Sequence, residues 1–407
     1  MSASTPAPLT PVRQDAAVIG LVGIAHLISH YSQLLLAPLF PWLKEAFDVS
    51  YAELGFLMSI FFVVSCGVQA AAGFMVDKHG PRPVLFGGLA LLGIAAFGFA
   101  ASTSYAMLAF FSVVAGIGNG VFHPVDFTLL NRKVHQSRLG HAFSVHGITG
   151  SLGWALAPAM LVPLTLAFSW RVALVCAGAL AFAVLAVLVL NRRRLELAPL
   201  PPGKAAAGVE GNFAFLTIPA VWMCFAFFLF YAMALSGVQA FAPEAARLLH
   251  EVPVGIAAMC LSIYMVCSAG GMVAGGFLVV DPARCERIVG IGFGIAAAIA
   301  LVIGFVDLAA LAVPVLFGAM GFAAGIAGPS RDLIVKRSAP DNATGRVYGV
   351  VYSGLDIGQA IAPLMFGTLM DMHRPAMVWL GIAAVQAVLI ASALNVRKVR
   401  RTTLAPA

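Results

Sequence analysis

A chain of 407 residues with 61% hydrophobic and only 10% charged residues lies outside the range of soluble domains, so water is not its main solvent. The net charge of +7 does not point to nucleic acid, because the basic residues cluster at the ends of apolar runs and mark one side of a membrane. Six cysteines (Cys66, Cys176, Cys224, Cys260, Cys267, Cys285) lie within or beside apolar runs with no CxxC pair, which argues for buried thiols over a disulfide or metal framework.

Residues 1–15 form a small, polar tail without the basic and hydrophobic regions of a cleaved leader, so the first apolar run is expected to stay attached. A hydrocarbon core about 30 Å thick needs about 20 apolar residues per helix. Twelve runs of that kind follow: 16–39, 52–76, 84–102, 104–130, 139–165, 170–191, 213–243, 254–280, 286–306, 308–333, 344–370 and 375–395. All but Lys44, Arg171, Arg247 and Arg374 of the 24 Lys and Arg fall on the side shared by both termini, which the positive-inside rule places in the cytoplasm of an inner-membrane protein.

Ionisable groups inside lipid cost several kcal/mol, so the runs that retain them mark cavities or partners. On the first run His26, His30 and Gln33 stand at i, i+4 and i+7, one helix face. Between the second and third lies Gly73-Phe-Met-Val-Asp77-Lys78-His79-Gly80-Pro81-Arg82, where Gly73 is expected to permit close helix contact, Asp77 to pair with a basic group or helix end, and Gly80 to turn the chain. The fourth run repeats the first interval with Asn119, His123 and Asp126. His141 and His146 on the fifth run are further imidazoles at similar depth. Residues 192–212 carry an Arg triplet, Pro-Leu-Pro-Pro and a Gly/Ala stretch, and read as a cytoplasmic linker between bundles 16–191 and 213–396, with 397–407 a cytoplasmic tail. Tyr231 and Gln239 on the seventh run suit a partly apolar ligand. The phenylalanines around Tyr231 read as packing or lipid-facing. Arg331 ends the tenth run, beside Asp332, which can pair with Lys336 or meet water. Tyr348, Tyr352, Asp356 and Gln359 line one face of the eleventh.

The two bundles repeat each other. Ala37-Pro38 matches Ala242-Pro243; Gly116, Gly120 and Pro124 match Gly321, Gly325 and Pro329; Gly153 to Pro158 matches Gly358 to Pro363, all at an offset of 205 residues. This layout resembles the major facilitator superfamily, and the Gly73 to Arg82 loop is similar to its signature Gly-x-x-x-Asp-Arg/Lys-x-Gly-x-Arg/Lys. The second copy, Gly276 to Arg287, is degenerate, with Asp281 out of step and Pro282 in place of a Lys. Ala25 to Phe47 and the Gly116 to Pro124 segment resemble the fosmidomycin-resistance family of drug exporters. The chain departs from that family at His30, where an acid is usual, and at Asp126, one place later than the family's acid.

The resemblance implies an all-α membrane protein of twelve helices in two pseudo-symmetric six-helix bundles, with helices 1, 4, 7 and 10 lining a cavity. The same offset places Asp126 opposite Arg331, and attraction between them across the cytoplasmic half of the cavity is expected, released by a proton on Asp126 or an anion at Arg331. The alternative is that each charge meets headgroups or water at its own helix end. The histidines, His123 first, titrate near neutral pH and suit proton relay as well as structural hydrogen bonding. No His/Asp set has the local spacing of a dedicated metal site, so no metal or other cofactor is expected. No phosphate-binding loop occurs, and one His–Asp helical pair is slender ground for catalysis, so the chain reads as a transporter, not an enzyme. The expected function is secondary, proton-coupled export of a small, partly apolar compound or drug by a monomer whose partners are substrate, protons and lipid. The alternatives are uptake of a small organic anion, then a non-transporting sensor.

Overall fold

In hydrocarbon every backbone N–H and C=O must be satisfied within its own segment, and this chain does so with helices. The structure, a computed structural model, describes residues 12–197, 219–278, 285–338 and 344–403, with the side chains of all of these but Asp77, Ala220, 332–338, 344–352 and 393–403. The helices are α1 (Val12–Gln33), α2 (Phe40–Phe47), α3 (Tyr51–His79), α4 (Pro81–Ala101), α5 (Tyr105–Asn119), α6 (Phe122–Lys133), α7 (Leu139–Ala167), α8 (Trp170–Leu190), α9 (Pro219–Ala240), α10 (Ala242–His250), α11 (Val254–Leu278), α12 (Cys285–Phe305), α13 (Ala312–Ser338), α14 (Thr344–Asp371) and α15 (Pro375–Thr403). Among the described residues, eleven helical segments are long and apolar enough to cross a membrane. The remaining place of the twelve belongs to α14, packed between α3 and α9. The expected linker beyond Leu197 and most of the degenerate second loop lie outside the described residues.

Three of the expected runs are not continuous helices, and proline is the reason. The run 16–39 stops at Gln33, passes through a 3-10 turn with Pro38 in its first positions and restarts as α2 with Pro41 in its first turn. The run 104–130 breaks between Asn119 and Phe122, where Pro124 has no N–H to return to the carbonyl of Gly120. The run 213–243 breaks at Phe241, with Pro243 opening α10.

The duplication read from the sequence is a duplication of contacts. Within the first half α1 packs on α7, α3 on α5 and α4 on α8; within the second, α9 packs on α14, α11 on α13 and α12 on α15. Close approach is set by the repeated glycines. A Cβ added at Gly116 would lie 2.6 Å from the carbonyl oxygen of Phe61, and one at its counterpart Gly321 would overlap the carbonyl of Tyr264.

Between the halves, α3 packs on α14 and α7 on α11. Ser59 Oγ donates to the Ala360 carbonyl at 2.6 Å, and Ser262 Oγ donates to the Ala155 carbonyl at 2.8 Å, a pseudo-symmetric pair of bonds across the seam. The end of the bundle away from the termini is closed. There the Asp371 carboxylate accepts from the backbone N–H groups of Tyr51 and Ala52, each at 2.8 Å. Tyr51 also donates its hydroxyl to Glu244 at 2.9 Å, and Arg247 holds Glu244 with two bonds of 2.7 Å. The Glu244 hydrogen bond raises the Arg247 guanidinium further, so this cation stays charged at any physiological pH. Two other basic residues at this end are tied to backbone carbonyls: Lys44 to Val49, and Arg171 to Ala100 and Ser102.

Steric position separates two glycine substitutions. Gly116→Ala, inside one half, is expected to destabilise the fold by about 1–3 kcal/mol, read as a lower Tm. Gly55 instead faces the Pro363 carbonyl across the seam, where an added Cβ would overlap it. Gly55→Ala should leave Tm nearly unchanged and lengthen the distance between spin labels on Glu45 and Met372, by shifting population away from this closed arrangement.

Candidate functional site

Each half buries its polar groups differently. In the first half α1 contributes His26, His30 and Gln33, and α6 contributes His123 and Asp126, with Asn119 at the end of α5. The break before Phe122 does not separate the face expected of Asn119, His123 and Asp126. Asp126 is fully buried, and its Oδ2 lies 3.1 Å from His26 Nδ1 and 3.1 Å from His146 Nε2 on α7. The rings of His26 and His146 stack with centroids 3.5 Å apart, His30 sits 4.3 Å from His26, and His123 sits 5.6 Å from it. His30 also lies against the Trp154 indole, at 4.3 Å. Gly150 makes room for this cluster, since a Cβ there would meet His30 at 2.8 Å and His26 Nε2 at 3.1 Å.

Beside the cluster, Asn119 accepts from Ser29 at 2.7 Å and from Gln33 at 3.4 Å, and donates to Ser65 at 2.8 Å. Gln33 accepts in turn from Trp154 Nε1 at 2.9 Å. His123 Nδ1 is 2.9 Å from Gln69 Oε1, and the amide nitrogen of Gln69 donates to Asp356 Oδ2 at 3.1 Å. Because the Gln69 oxygen is the acceptor, His123 carries its proton on Nδ1 in this arrangement. Cys66 faces Asp356 as well. A polar path thus leaves the cluster of the first half and ends on a carboxylate of the second.

The second half is more aromatic. Arg331 lies over the Tyr231 ring at 4.6 Å and the Phe228 ring at 5.5 Å, within cation–π range. Gln359 donates to Gln239 at 3.4 Å. Among the described residues, the ion-pair contacts of Asp126 are with His26 and His146, not with Arg331. Equal depth on pseudo-symmetric helices gave each charge the same position within its own half, and the carboxylate is enclosed by imidazoles of that half. Tyr352, with Tyr348, lies outside the described side chains, as does the Asp332–Lys336 pair.

In the expected gating loop Gly80 adopts φ +80°, ending α3 and opening α4 at Pro81, as a turn there requires. At Gly73, among the described residues, an added Cβ would meet nothing within 4 Å. Lys78 is exposed, Arg82 approaches Glu196 at 3.5 Å, and the Asp77 side chain lies outside the described residues.

Sequence reasoning missed Gln69, Ser29, Ser65 and Trp154, and left His146 without a role. Gln69 is the single amide in the apolar run 52–76, which was the available signal. His141, grouped with His146 by depth, is exposed. Linear spacing gave no metal motif, yet the fold brings ligand atoms of His26, Asp126 and His146 within 4.8 Å of one another, and likewise those of His26, His30 and His123.

Removing His146 takes away the hydrogen bond to a fully buried carboxylate. His146→Leu should cost about 1–3 kcal/mol, seen as a lower Tm, whereas the exposed His141→Leu on the same helix should leave Tm unchanged.

Residues 22–402 match the Major Facilitator Superfamily. Among curated proteins the chain is similar to the fosmidomycin resistance protein of Escherichia coli, 26% identical over 164 residues covering 38% of each chain. It is 30% identical over 154 residues to the MFS-type transporter YfnC of Bacillus subtilis, covering 36% of this chain and 37% of that one. A probable sulfoacetate transporter of Cupriavidus necator is 26% identical over 40% of this chain and 38% of its own. These matches span little more than a third of each relative. In fold, the chain resembles a bacterial homolog of the human lysosomal transporter Spinster in an inward-facing, occupied conformation. That likeness has a TM-score of 0.77 at 16% identity and covers 98% of this chain and 100% of the other. The nucleoside transporter NupG follows the same fold, with a TM-score of 0.74 at 15% identity over 93% and 99%.

Proposed function

The chain belongs to the Major Facilitator Superfamily of membrane transporters, and from that premise we propose that it is a secondary transporter exporting a small, partly apolar compound in exchange for protons. The observation that carries the coupling is the 3.1 Å bond from Gln69 on α3 to Asp356 on α14, because it joins a titratable group of one half to the other half. Alternating access needs a charge whose state changes the contact between the moving bodies. An ionised Asp356 accepts from Gln69 and holds α14 to α3. A proton on the carboxylate weakens that acceptor and loosens the seam. Cys66 and Gln69 face Asp356 directly, and His123 faces it through Gln69.

The ligand side of the reading rests on Tyr231, Gln239, Arg331 and Gln359, which combine aromatic faces with a cation and two amides. Export is supported by the similarity of 38% of the chain to the E. coli fosmidomycin resistance protein. A second reading, uptake of a small organic anion, is favoured by the guanidinium of Arg331 and by the similarity to a probable sulfoacetate transporter. The orientation implied by the basic residues, with both termini in the cytoplasm, places the closed end described here on the outer side.

In proteoliposomes, efflux driven by an imposed pH gradient is expected for the wild-type chain. Asp356→Asn should bind substrate but lose gradient-driven accumulation by at least about tenfold, equivalent to about 1.4 kcal/mol of coupling. Undiminished pH dependence in that variant would remove Asp356 from the mechanism. Deletion of the gene separates the two directions: sensitivity to toxic compounds supports export, and loss of growth on a carboxylate without such sensitivity supports uptake.

A further inference from the structure

We infer that the histidine–aspartate cluster of the first half is a binding site for a divalent first-row transition-metal ion of the zinc type. The donor set is His26, His146 and Asp126, with His30 and His123 on the adjoining edge, drawn from α1, α6 and α7. This goes beyond transport coupled through Asp356, which touches none of these five side chains directly, so either reading can fail alone.

Zinc holds imidazole nitrogen and carboxylate oxygen at about 2.0–2.2 Å in a tetrahedron, whose edges are then about 3.3 Å long. The two nitrogen-to-oxygen separations at Asp126 Oδ2 are 3.1 Å each, close to such an edge. Although His26 Nδ1 sits at that distance, it makes no hydrogen bond, because its direction does not suit donation to the carboxylate.

Asp126 Oδ1 and His26 Nδ1 are buried without hydrogen-bond partners, and neither ring nitrogen of His30 has a side-chain partner. Buried polar atoms left unpaired each cost about 1–3 kcal/mol, and several within one cluster of side chains are unusual unless something binds there. One dication held by His26, His146 and Asp126 would satisfy His26 Nδ1 and engage the carboxylate together.

The surroundings are those of a metal site. Gln69 Oε1 accepts from His123 Nδ1, which orients that ring and leaves its Nε2 for a ligand, as outer-sphere partners of metal-bound histidines do. His123 is partly exposed and gives the ion an edge by which to enter. Borderline imidazole donors with one carboxylate favour zinc, cobalt, nickel or copper over magnesium or calcium. Because all five groups belong to one half, the ion would brace α1, α6 and α7 against one another without bridging the two moving bodies.

The test uses the full chain without a histidine tag, stripped with a chelator in detergent and titrated with Zn2+ and with Co2+. One ion per chain is expected, with Co2+ showing the visible ligand-field bands of a four-coordinate site and absorption-edge spectroscopy showing imidazole scatterers. His26→Gln and Asp126→Asn should each weaken binding by at least about 100-fold, and the exposed His141→Ala should not. Gel-filtration profiles matching the wild type identify variants that remain folded. Should both be misfolded, the edge spectrum of the wild type decides alone. Less than stoichiometric binding, equal binding by folded His26→Gln, or a spectrum without imidazole would overturn the proposal.

Discussion

Two packed halves can exchange positions only if the bonds between them are few, specific and replaceable. Here two of them are side-chain hydroxyls reaching for opposing backbone carbonyls. Ser59 and Ser262 occupy corresponding places on α3 and α11, and their acceptors, Ala360 and Ala155, correspond on α14 and α7. Each bond has a modest net worth, about 1 kcal/mol. That is enough to register the halves and too little to weld them. Glycine at the same seam, as at Gly55, brings the backbones close enough for such bonds to form.

Around that seam the halves divide their chemistry. The first concentrates imidazoles, amides and a buried carboxylate near α1, α6 and α7, whereas the second surrounds Arg331 with aromatic rings. A polar core of this density is costly in hydrocarbon unless its groups serve one another or a ligand. Among the described residues, one amide joins the cluster of the first half to Asp356 of the second. Gln69 presents its oxygen to His123 and its nitrogen to Asp356, so its orientation is fixed by what lies on both sides.

Much of this was legible in the sequence because hydrophobic length and helical spacing are local properties. The twelve places in the bundle, the repeat at Gly116 and Gly321, and the shared face of His26 and His30 all follow from them. Partners contributed by other helices were not legible. His146 lies 20 residues from Asp126, and Gln69 lies 54 from His123. Nothing in linear spacing brings them together. The relation drawn between Asp126 and Arg331 used symmetry as a stand-in for contact, and a pseudo-twofold repeat assigns equivalent environments without making them adjacent. The breaks at Gln33 and Asn119 were signalled by Pro38, Pro41 and Pro124, but continuous hydropathy masked them.

The N-terminus of α3 illustrates how closely the halves depend on each other. Of its unpaired N–H groups, Glu53 is capped by Ser50, while Tyr51 and Ala52 are capped by Asp371, a residue made more than three hundred positions later. The unit that moves and the unit that folds are therefore different. During synthesis the first six-helix bundle enters the membrane with this helix end unfinished, and its assembly is complete only when the eleventh crossing has arrived to close it.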